Sequence, residues 1–452
     1  MTVLLSFALA FAIGWLAVGC ADPLRDVPSG PRWARWIFRS GLAWVAGAGF
    51  CSVSFLLLRM AGISKRLWIV AFECLCIAVL ASFGRRAERR RRGGSSRPVT
   101  KILALVFIAM SIATGFRLGQ VARANPYGQW DAWSNWNKRA KFLALSDRWR
   151  DAASPLLQDT HPEYPMLLPA FVARGWVMSG DTAPAVPVVT AFLFYSALIA
   201  MFVGAVAMLR GTTAAMIGGM VLLSTPSLSF WAVSQYADIP LASLILGTLA
   251  LLFLAPGANA LAWAGVCAGL AAWMKQEGTP FAFAIVFAVL ALSRFGRSRW
   301  RMAACAAPGL LLTGWFRLWI APHGADAPHS FREALPRLVD PGRYAMVAHA
   351  FLDHVRSLGS GPGHPLILLA ILAAILGPER DRRRNSVMWA GAIALCFTLA
   401  SYTFAYVVSP RDLNWYIASS MDRLVLHVWP ASLLLLCVLL PQDPGDCGPE
   451  AP

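Results

Sequence analysis

The sequence is poor in charged residues, and this scarcity excludes a soluble fold. Charged side chains make up 14% of the 452 residues, whereas soluble domains carry about 25%. Hydrophobic side chains make up 58%, against roughly 45–50% in soluble domains. No stretch alternates in the way that the strands of an outer-membrane barrel do. Long apolar runs recur along nearly the whole chain instead, so the sequence predicts an all-α polytopic membrane protein.

Acidic residues are scarcer than basic ones, and the chain has a net charge of +17. No separate basic soluble domain accounts for this charge, because the basic residues lie in short loops between apolar runs. The run Arg85–Arg92 is the clearest case. This placement is typical of the positive-inside rule and of contact with anionic lipid, so we expect a bilayer and no nucleic acid as partner.

The sequence also lacks metal-binding patterns. Its nine cysteines include no Cys-x-x-Cys, and Cys74 and Cys76 lie one residue apart within an apolar run. On the topology predicted below, none of the nine falls in an external loop, so we expect buried thiols rather than disulfides. Histidines and carboxylates are scattered along the chain, so no metal site and no cofactor is predicted. Met1–Ala21 lacks a basic n-region and is interpreted as an uncleaved first span.

Thirteen apolar runs are suitable for crossing a bilayer. They are Val3–Ala21, Gly41–Met60, Leu67–Gly84, Ile102–Gly119, Pro184–Leu209, Thr213–Trp231, Ile239–Ala255, Asn259–Met274, Thr279–Ser293, Met302–Ile320, Pro365–Gly377, Val387–Val408 and Leu424–Leu440.

The orientation of these spans follows from arginine and lysine. Successive loops of a multi-pass protein alternate between the two sides of the membrane. If the loop Arg85–Lys101 is cytoplasmic, the Arg-rich loops Asp22–Arg39, Arg294–Arg301 and Glu379–Arg384 are then cytoplasmic too. The N-terminus is then outside and the C-terminus inside. The apolar stretch Pro165–Met178 contains Arg174 and would invert the later loops if it spanned, so we predict a membrane-dipping or interfacial helix there.

Two long loops fall on the external side, from 120 to 184 and from 321 to 364. The first contains the polar stretch Gln129–Arg139, in which Trp130, Trp133, Trp136, Ala140 and Leu143 have helical spacing. This pattern predicts an interfacial helix with the tryptophans on the bilayer surface. Lys138, Arg139 and Lys141 would then be suited to lipid phosphates.

Ionisable residues at the external ends of spans are the candidates for function, because charge is costly at membrane depth. Asp131 lies between two tryptophans and fits a general base, although Asp is also a favoured helix cap. Asp238, in Tyr236-Ala237-Asp238-Ile239-Pro240, fits either catalysis or a helix start. For Asp131 we favour function, and for Asp238 both interpretations stay open.

Six further residues accompany them, each with a structural alternative. His161 and Glu163 lie in a proline-stiffened turn, where Glu163 is alternatively a solvated surface residue. Lys275 and Glu277 lie between two apolar runs, as phosphate ligands or as a charge pair that anchors the turn. Arg411 and its neighbour Asp412 allow the same two interpretations. Glu73 lies within an early span and is expected to be neutralised or paired.

Several motifs, in this order, resemble the GT-C glycosyltransferase superfamily. An Asp at the external end of a span precedes an amphipathic helix and a Pro-rich segment. Four further motifs follow, namely Leu223-Ser224-Thr225-Pro226, Tyr236–Ala242, Ala268–Gly278 and Arg411-Asp412-Leu413-Asn414-Trp415. The chain looks closest to bacterial relatives of protein O-mannosyltransferases and aminoarabinose transferases. The resemblance extends roughly over 102–293, where it implies a catalytic core. Residues 1–101 look like an added module of three spans and a basic loop. Residues 294–440 look like a C-terminal membrane region, and residues 441–452 look like a disordered tail.

The resemblance implies a multi-pass enzyme of the bacterial inner membrane whose site faces the exterior or periplasm. It would transfer a hexosyl or pentosyl group from a polyprenyl-phosphate donor to a glycan, lipid or protein hydroxyl, with inversion. Asp131 occupies the place of the base, and Asp238 that of the second acidic position. His161, Glu163, Tyr236, Lys275, Glu277 and Arg411 would bind substrates. Relatives often have Lys-Pro-Pro where this chain has Glu163-Tyr164-Pro165, so the phosphate needs another cation, with Lys275 and Arg411 the candidates.

Two other classes remain as alternatives. A transporter or flippase of a lipid-linked glycan would place polar residues near the midplane of many spans, whereas here they lie at one face. A catalytically silent scaffold would use every carboxylate as a helix cap.

Overall fold

The fold is helical throughout the part of the chain that the structure, a computed structural model, describes. That part comprises residues 2–27, 30–83, 98–157, 160–254, 257–292, 295–324, 328, 330–359, 364, 367 and 382–439. Three predicted segments lie wholly or mostly outside the described residues. They are the tail 441–452, nearly all of the span Pro365–Gly377 and most of the basic loop Arg85–Lys101. No strand occurs among the described residues.

Seventeen α-helices are described here in chain order. They are α1 Thr2–Cys20, α2 Arg32–Met60, α3 Arg66–Phe83, α4 Pro98–Ala124, α5 Asn137–Leu145, α6 Leu167–Ser179, α7 Ala185–Arg210, α8 Thr212–Ser224, α9 Pro226–Trp231, α10 Asp238–Leu254, α11 Ala258–Met274, α12 Gly278–Ala291, α13 Ser298–Trp319, α14 Phe331–Leu338, α15 Pro341–Arg356, α16 Arg382–Val408 and α17 Leu413–Leu439. A π-helical turn, Ala132–Trp136, precedes α5.

Seven of these helices are long and apolar enough to cross a membrane, namely α1, α2, α3, α4, α7, α16 and α17. The chain is therefore a multi-pass helical membrane protein, but the predicted count of thirteen spans is not confirmed. Four of the predicted spans overlap shorter apolar helices of 10–17 residues. The predicted span Thr213–Trp231 is divided into α8 and α9, because Pro226 starts a new helix at its first position.

Helix α10 forms the centre of the bundle, and every one of its residues is buried. It packs on α7, α11 and α17. Small residues allow close helix contacts around it, as is usual in membranes. A Cβ on Gly309 of α13 would lie 2.2 Å from the carbonyl oxygen of Gly269 on α11, so these two backbones touch. Helices α3 and α4 lie at the periphery, with 11% and 6% of their apolar windows buried.

The first long loop folds onto one end of the bundle, which we call the site end. It runs from the C-terminus of α4 through the π-helical turn, α5 and a 3₁₀ turn, Trp149–Ala153, to α6. Where the sequence predicts a dipping or interfacial segment, the structure has the 13-residue helix α6, most of it buried in protein. The depth of α6 in a bilayer stays a prediction.

The predicted tryptophan stripe is divided by the π-helical turn. Trp130 and Trp133 are exposed and pack together with ring centroids 4.5 Å apart. Trp136, only 2% exposed, lies inside the protein with Ala140 and Leu143. A π-turn holds more residues than an α-turn, so side chains on either side of it no longer share one face. The expectation of a single five-residue stripe on the bilayer surface is therefore wrong.

Glu73 has the paired structural role that its position in a span predicts. Both of its carboxylate oxygens accept hydrogen bonds from the guanidinium of Arg174, at 2.5 Å. Arg174 also donates to the carbonyl oxygen of Ser6 at 3.0 Å. The pair is completely buried and joins α1, α3 and α6.

Candidate functional site

Asp238 is the buried centre of a charged cluster at the site end. It is the first residue of α10 and is 0% exposed. Its Oδ1 lies 2.9 Å from the Nζ of Lys275 and 2.6 Å from the Nε2 of His427. Its Oδ2 has no hydrogen-bond partner within the described residues. Buried polar atoms are normally satisfied, so this oxygen is available to a polar ligand or water.

Lys275 links Asp238 to Glu277. It is the extended residue that ends α11, and its Nζ lies 2.9 Å from Oε1 of Glu277. Burial opposes the ammonium charge, but the attraction of Asp238 and Glu277 outweighs it and raises the pKa of Lys275 above its ordinary value. Lys275 is therefore a fixed cation held between two carboxylates. Oε2 of Glu277 is buried and has no partner among the described residues.

His427 connects Asp238 to α16. It lies on α17, is fully buried, and its Nδ1 is 3.1 Å from the hydroxyl of Tyr402. Its two ring nitrogens thus face a carboxylate and a phenol. This arrangement fixes the orientation of the ring.

Arg423 joins Asp131 to the rest of the cluster. It lies one turn before His427 on α17, and its Nη1 is 2.5 Å from Oδ2 of Asp131. The guanidinium lies 5.3 Å from the ring centre of Tyr236 and 5.6 Å from that of Trp231. It also interacts electrostatically with Asp238. One cation therefore connects the two candidate catalytic carboxylates.

Asp131 does not act as a helix cap. Its side chain forms no capping hydrogen bond to the turn that follows it, and its backbone N–H donates to the hydroxyl of Tyr236 at 2.8 Å. Burial is the main cause that raises the pKa of Tyr236 above its ordinary value. The carboxylate remains 24% exposed, the most accessible acid in the cluster.

Gln235 sets the position of Tyr236 and Asp238. It has a φ of 63°, the only non-glycine residue with a positive φ in the part of the chain described. Its Nε2 donates to the carbonyl oxygen of Pro126, and its Oε1 accepts from Asn137 at 2.8 Å. A strained backbone of this kind persists where neighbours over-determine it, often at functional sites. The α9–α10 connection is thereby fixed against the first long loop.

The Pro-rich segment borders the same cluster. Nδ1 of His161 lies 2.9 Å from Oε1 of Glu163. The ring of Tyr164 stacks on His161 at 4.5 Å and on Trp136 at 5.5 Å. The Nζ of Lys275 lies 5.8 Å from the same ring. Tyr164 is therefore the residue through which this segment borders the buried charges.

Arg139 supports this segment from within. It is fully buried and donates to the carbonyl oxygens of Ala152, His161, Pro162 and Tyr164. Burial lowers its pKa to about 9, against the opposing attraction of Glu163 and Tyr164. The expectation that Arg139 faces lipid phosphates is therefore wrong, because carbonyl groups of the loop occupy its donors.

The structure brings most of the predicted site residues together. Asp131, Tyr236, Asp238, Lys275 and Glu277 form one connected cluster, with His161 and Glu163 next to it through Tyr164. Arg411 has a different neighbour, since its guanidinium lies over the ring of Trp415 at 5.8 Å. Asp412 accepts the backbone N–H of Trp415 at 2.8 Å and caps α17.

Sequence reasoning missed Arg423, His427 and Tyr402. The predicted last span began at Leu424, so Arg423 was placed just outside it and His427 was taken as part of an apolar run. The signal was present, because an arginine and a histidine four residues apart share one face of a helix, and ionisable residues within spans tend to be functional.

Three carboxylates, two permanent cations and a histidine thus meet at the site end of a multi-pass helical membrane protein. Among the described residues, no group of three or more His, Cys, Asp or Glu side chains is arranged to hold a metal ion. The chain matches no family model, no curated protein and no solved structure.

Proposed function

We propose that the protein is a membrane glycosyltransferase, which moves a sugar from a polyprenyl-phosphate donor to an acceptor hydroxyl on the external face, with inversion. The observation that carries the proposal is Asp131, a partly exposed carboxylate that is not spent on a helix cap. It is held by Tyr236 and Arg423 at the site end of the bundle. A base must lie within hydrogen-bond reach of the hydroxyl that it deprotonates, and Asp131 is accessible to one.

The geometry of Asp131 allows this role. Its Oδ2 is paired with Arg423, while Oδ1 has no hydrogen-bond partner among the described residues. In the proposed reaction, Oδ1 takes the proton of the acceptor hydroxyl. The acceptor oxygen bonds to the anomeric carbon, and the bond from that carbon to the phosphate oxygen breaks on the opposite face. Polyprenyl phosphate leaves with the bonding electron pair.

Arg423 replaces Lys275 and Arg411 as our candidate for the donor phosphate. Lys275 is buried between two carboxylates, and Arg411 packs on Trp415. Arg423 lies directly beside the proposed base and over two adjacent aromatic rings, those of Trp231 and Tyr236. A guanidinium binds phosphate oxygens in pairs, and a fixed cation stabilises the negative charge that develops on the leaving group.

Asp238 has a positioning role in this proposal. It is fully buried, so it is less accessible to the acceptor substrate than Asp131 is. Its unpaired Oδ2 and the unpaired Oε2 of Glu277 are nevertheless two buried oxygens that can accept hydrogen bonds from hydroxyls of the sugar or of the acceptor. Lys275 and His427 hold the carboxylate in place. The site of proton transfer and the site of hydroxyl recognition would thus be adjacent.

The test is sugar transfer by purified protein supplied with a set of polyprenyl-phosphate sugars. We expect Asp131→Asn to fold normally and to lose about 10²–10⁴ in rate, because an amide cannot accept the proton. Asp412→Asn is the matched control, since Asn also caps a helix, and it should keep full activity. Near-normal transfer by Asp131→Asn would exclude Asp131 as the base. Absence of transfer with every donor, combined with movement of the lipid-linked sugar across vesicles, would favour the flippase alternative.

A further inference from the structure

A small cleft lies between the first long loop and the start of α7, at the site end of the bundle. Its aromatic walls come from Tyr127 and Trp133 of the loop and from Trp176 of α6. Its cations are Lys138 and Lys141 of α5. None of the described residues that line the cleft is acidic, so its charge is opposite to that of the carboxylates in the charged cluster.

The two lysines are not neutralised by the protein. Lys138 and Lys141 lie three residues apart, on one face of α5, and neither ammonium forms a hydrogen bond or an ion pair with a described residue. Asp181 is near the cleft in sequence, but its Oδ1 accepts hydrogen bonds from the Ser179 hydroxyl at 2.9 Å and the Ala183 N–H at 3.3 Å. The cleft therefore attracts an anion.

The cleft lies where two spanning helices end. Helices α4 and α7 are both long and apolar enough to cross a membrane. Pro126 and Tyr127 follow shortly after the last residue of α4, and Pro184 is the N-cap of α7. Spans end where the hydrocarbon ends, so the cleft lies at the depth of lipid headgroups, where tryptophan and lysine are usual.

The size of the cleft suits one phosphate group. Its volume is about 40 Å³, and a water molecule needs about 10–15 Å³ of such space, so roughly three oxygen-sized groups fit. A complete sugar ring is larger than this. Pro184 and Pro187 bring the N-terminus of α7 to the cleft, and the positive end of its helix dipole favours an anion there.

The cleft also adjoins the strained connection before α10. Gln235 and Asn137 both line it and are joined by a hydrogen bond of 2.8 Å. Gln235 has a φ of 63° and precedes Tyr236, whose hydroxyl accepts the backbone N–H of Asp131. An occupant of the cleft thus contacts the residues that hold Asp131 in place.

We propose that this cleft binds the phosphate of an anionic phospholipid from the adjoining membrane leaflet, between Lys138 and Lys141. A phospholipid is favoured over a soluble phosphate because the cleft lies at the ends of two spans, one of which, α4, has only 6% of its apolar window buried. The bound lipid ties the first long loop to α7. It is neither donor nor acceptor in the proposed reaction, so the site does not depend on what the charged cluster does.

Two variants disable the cleft in different ways. Lys138→Gln combined with Lys141→Gln removes both charges and keeps side chains of similar polarity. Thr182→Phe keeps both charges and fills the cleft, which Thr182 lines. A loss of lipid that is common to the two variants therefore requires the cleft itself and not only its charge.

The matched control removes two charges from the same end of the bundle. Lys65 and Arg66 are exposed and lie where α3 begins. They are at the site end, because Arg59 in the last turn of α2 donates to the carbonyl oxygen of Ser146 in the first long loop. Lys65→Gln combined with Arg66→Gln thus lowers the net charge equally and leaves the cleft intact.

The measurement is native mass spectrometry of delipidated, purified protein titrated with dioleoylphosphatidylglycerol, together with its melting temperature. We expect the affinity for the tightest-bound lipid to fall about tenfold or more in both cleft variants, because charge-assisted contacts to phosphate are strong. The control should bind as the wild type does. Dioleoylphosphatidylcholine, which carries no net charge, should bind the wild type at least about tenfold more weakly. Phosphatidylglycerol should raise the melting temperature of the wild type and the control more than that of the cleft variants.

Three results would overturn the proposal. Equal loss of lipid in the control would mean that the net charge attracts lipid without a site. Normal binding by Thr182→Phe would place the lipid outside the cleft. Displacement of the lipid by sn-glycerol 3-phosphate at an equal concentration would assign the cleft to a soluble phosphate ligand. Absence of sugar transfer changes none of these measurements, so the proposed function and the lipid site fail separately.

Discussion

Two long-range arginine–carboxylate pairs among the described residues, Arg174–Glu73 and Arg423–Asp131, differ in how completely their hydrogen-bonding groups are used. The pair of Arg174 and Glu73 is closed, with both carboxylate oxygens bound and side-chain exposures of 0% and 1%. The pair of Arg423 and Asp131 has one bound carboxylate oxygen and exposures of 13% and 24%. Similar chemistry can therefore serve architecture in one place and leave capacity for a ligand in another.

The closed pair should have the largest effect on stability. Arg174→Met leaves Glu73 buried without a partner, and breaking a buried pair in this way typically costs about 3–5 kcal/mol. We expect a correspondingly lower melting temperature of the purified protein in detergent. The double variant Arg174→Met with Glu73→Met should recover much of this loss, because no isolated charge remains. An equal loss in the single and double variants would show that packing, not charge pairing, is what the residues provide.

The open pair should affect activity more than stability. Arg423→Gln removes the proposed phosphate cation, and loss of one such transition-state contact costs about 10²–10³ in kcat. Arg423→Lys should restore part of it, since charge returns without the planar fork. The measurement is kcat and KM separately, together with inhibition by polyprenyl phosphate. If Arg423→Gln melts as early as Arg174→Met but transfers sugar at the normal rate, the pair of Arg423 and Asp131 is structural and the distinction between the two pairs is wrong.

The smallest effect is expected for a carboxylate that is in neither pair. Asp412 caps α17, and replacement of a capping Asp by Ala costs about 0.5–2 kcal/mol. Asp412→Ala should lower the melting temperature slightly, and Asp412→Asn should not. A loss of transfer in Asp412→Ala beyond its loss of folded protein would mean that this residue has a further role.

The helical membrane fold follows from composition and apolar runs, but the boundaries of its spans do not. Thr225-Pro226 divides one predicted span into α8 and α9, and α17 begins eleven residues before its predicted start. Hydropathy is averaged over a window, so it detects an apolar stretch. It does not detect a proline that starts a new helix, and it does not detect the polar turns by which an apolar helix is extended.

The candidate site was partly predictable because topology places the ends of alternate spans on one face. That argument gathered Asp131, Asp238 and Lys275. It did not reveal that Arg423 pairs with a residue 292 positions away, because side-chain pairing depends on how the helices pack. The π-turn at 132–136 was hidden for the same reason, and with it the burial of Trp136.

Helix α17 contacts both candidate carboxylates from adjacent turns, Asp131 through Arg423 and Asp238 through His427. A helix is stiff along its axis, and one turn rises by about 5.4 Å. A shift of α17 by a fraction of that rise would lengthen both contacts at once. The two acids are thus mechanically coupled through α17, and a shift of the helix along its axis changes both contacts together.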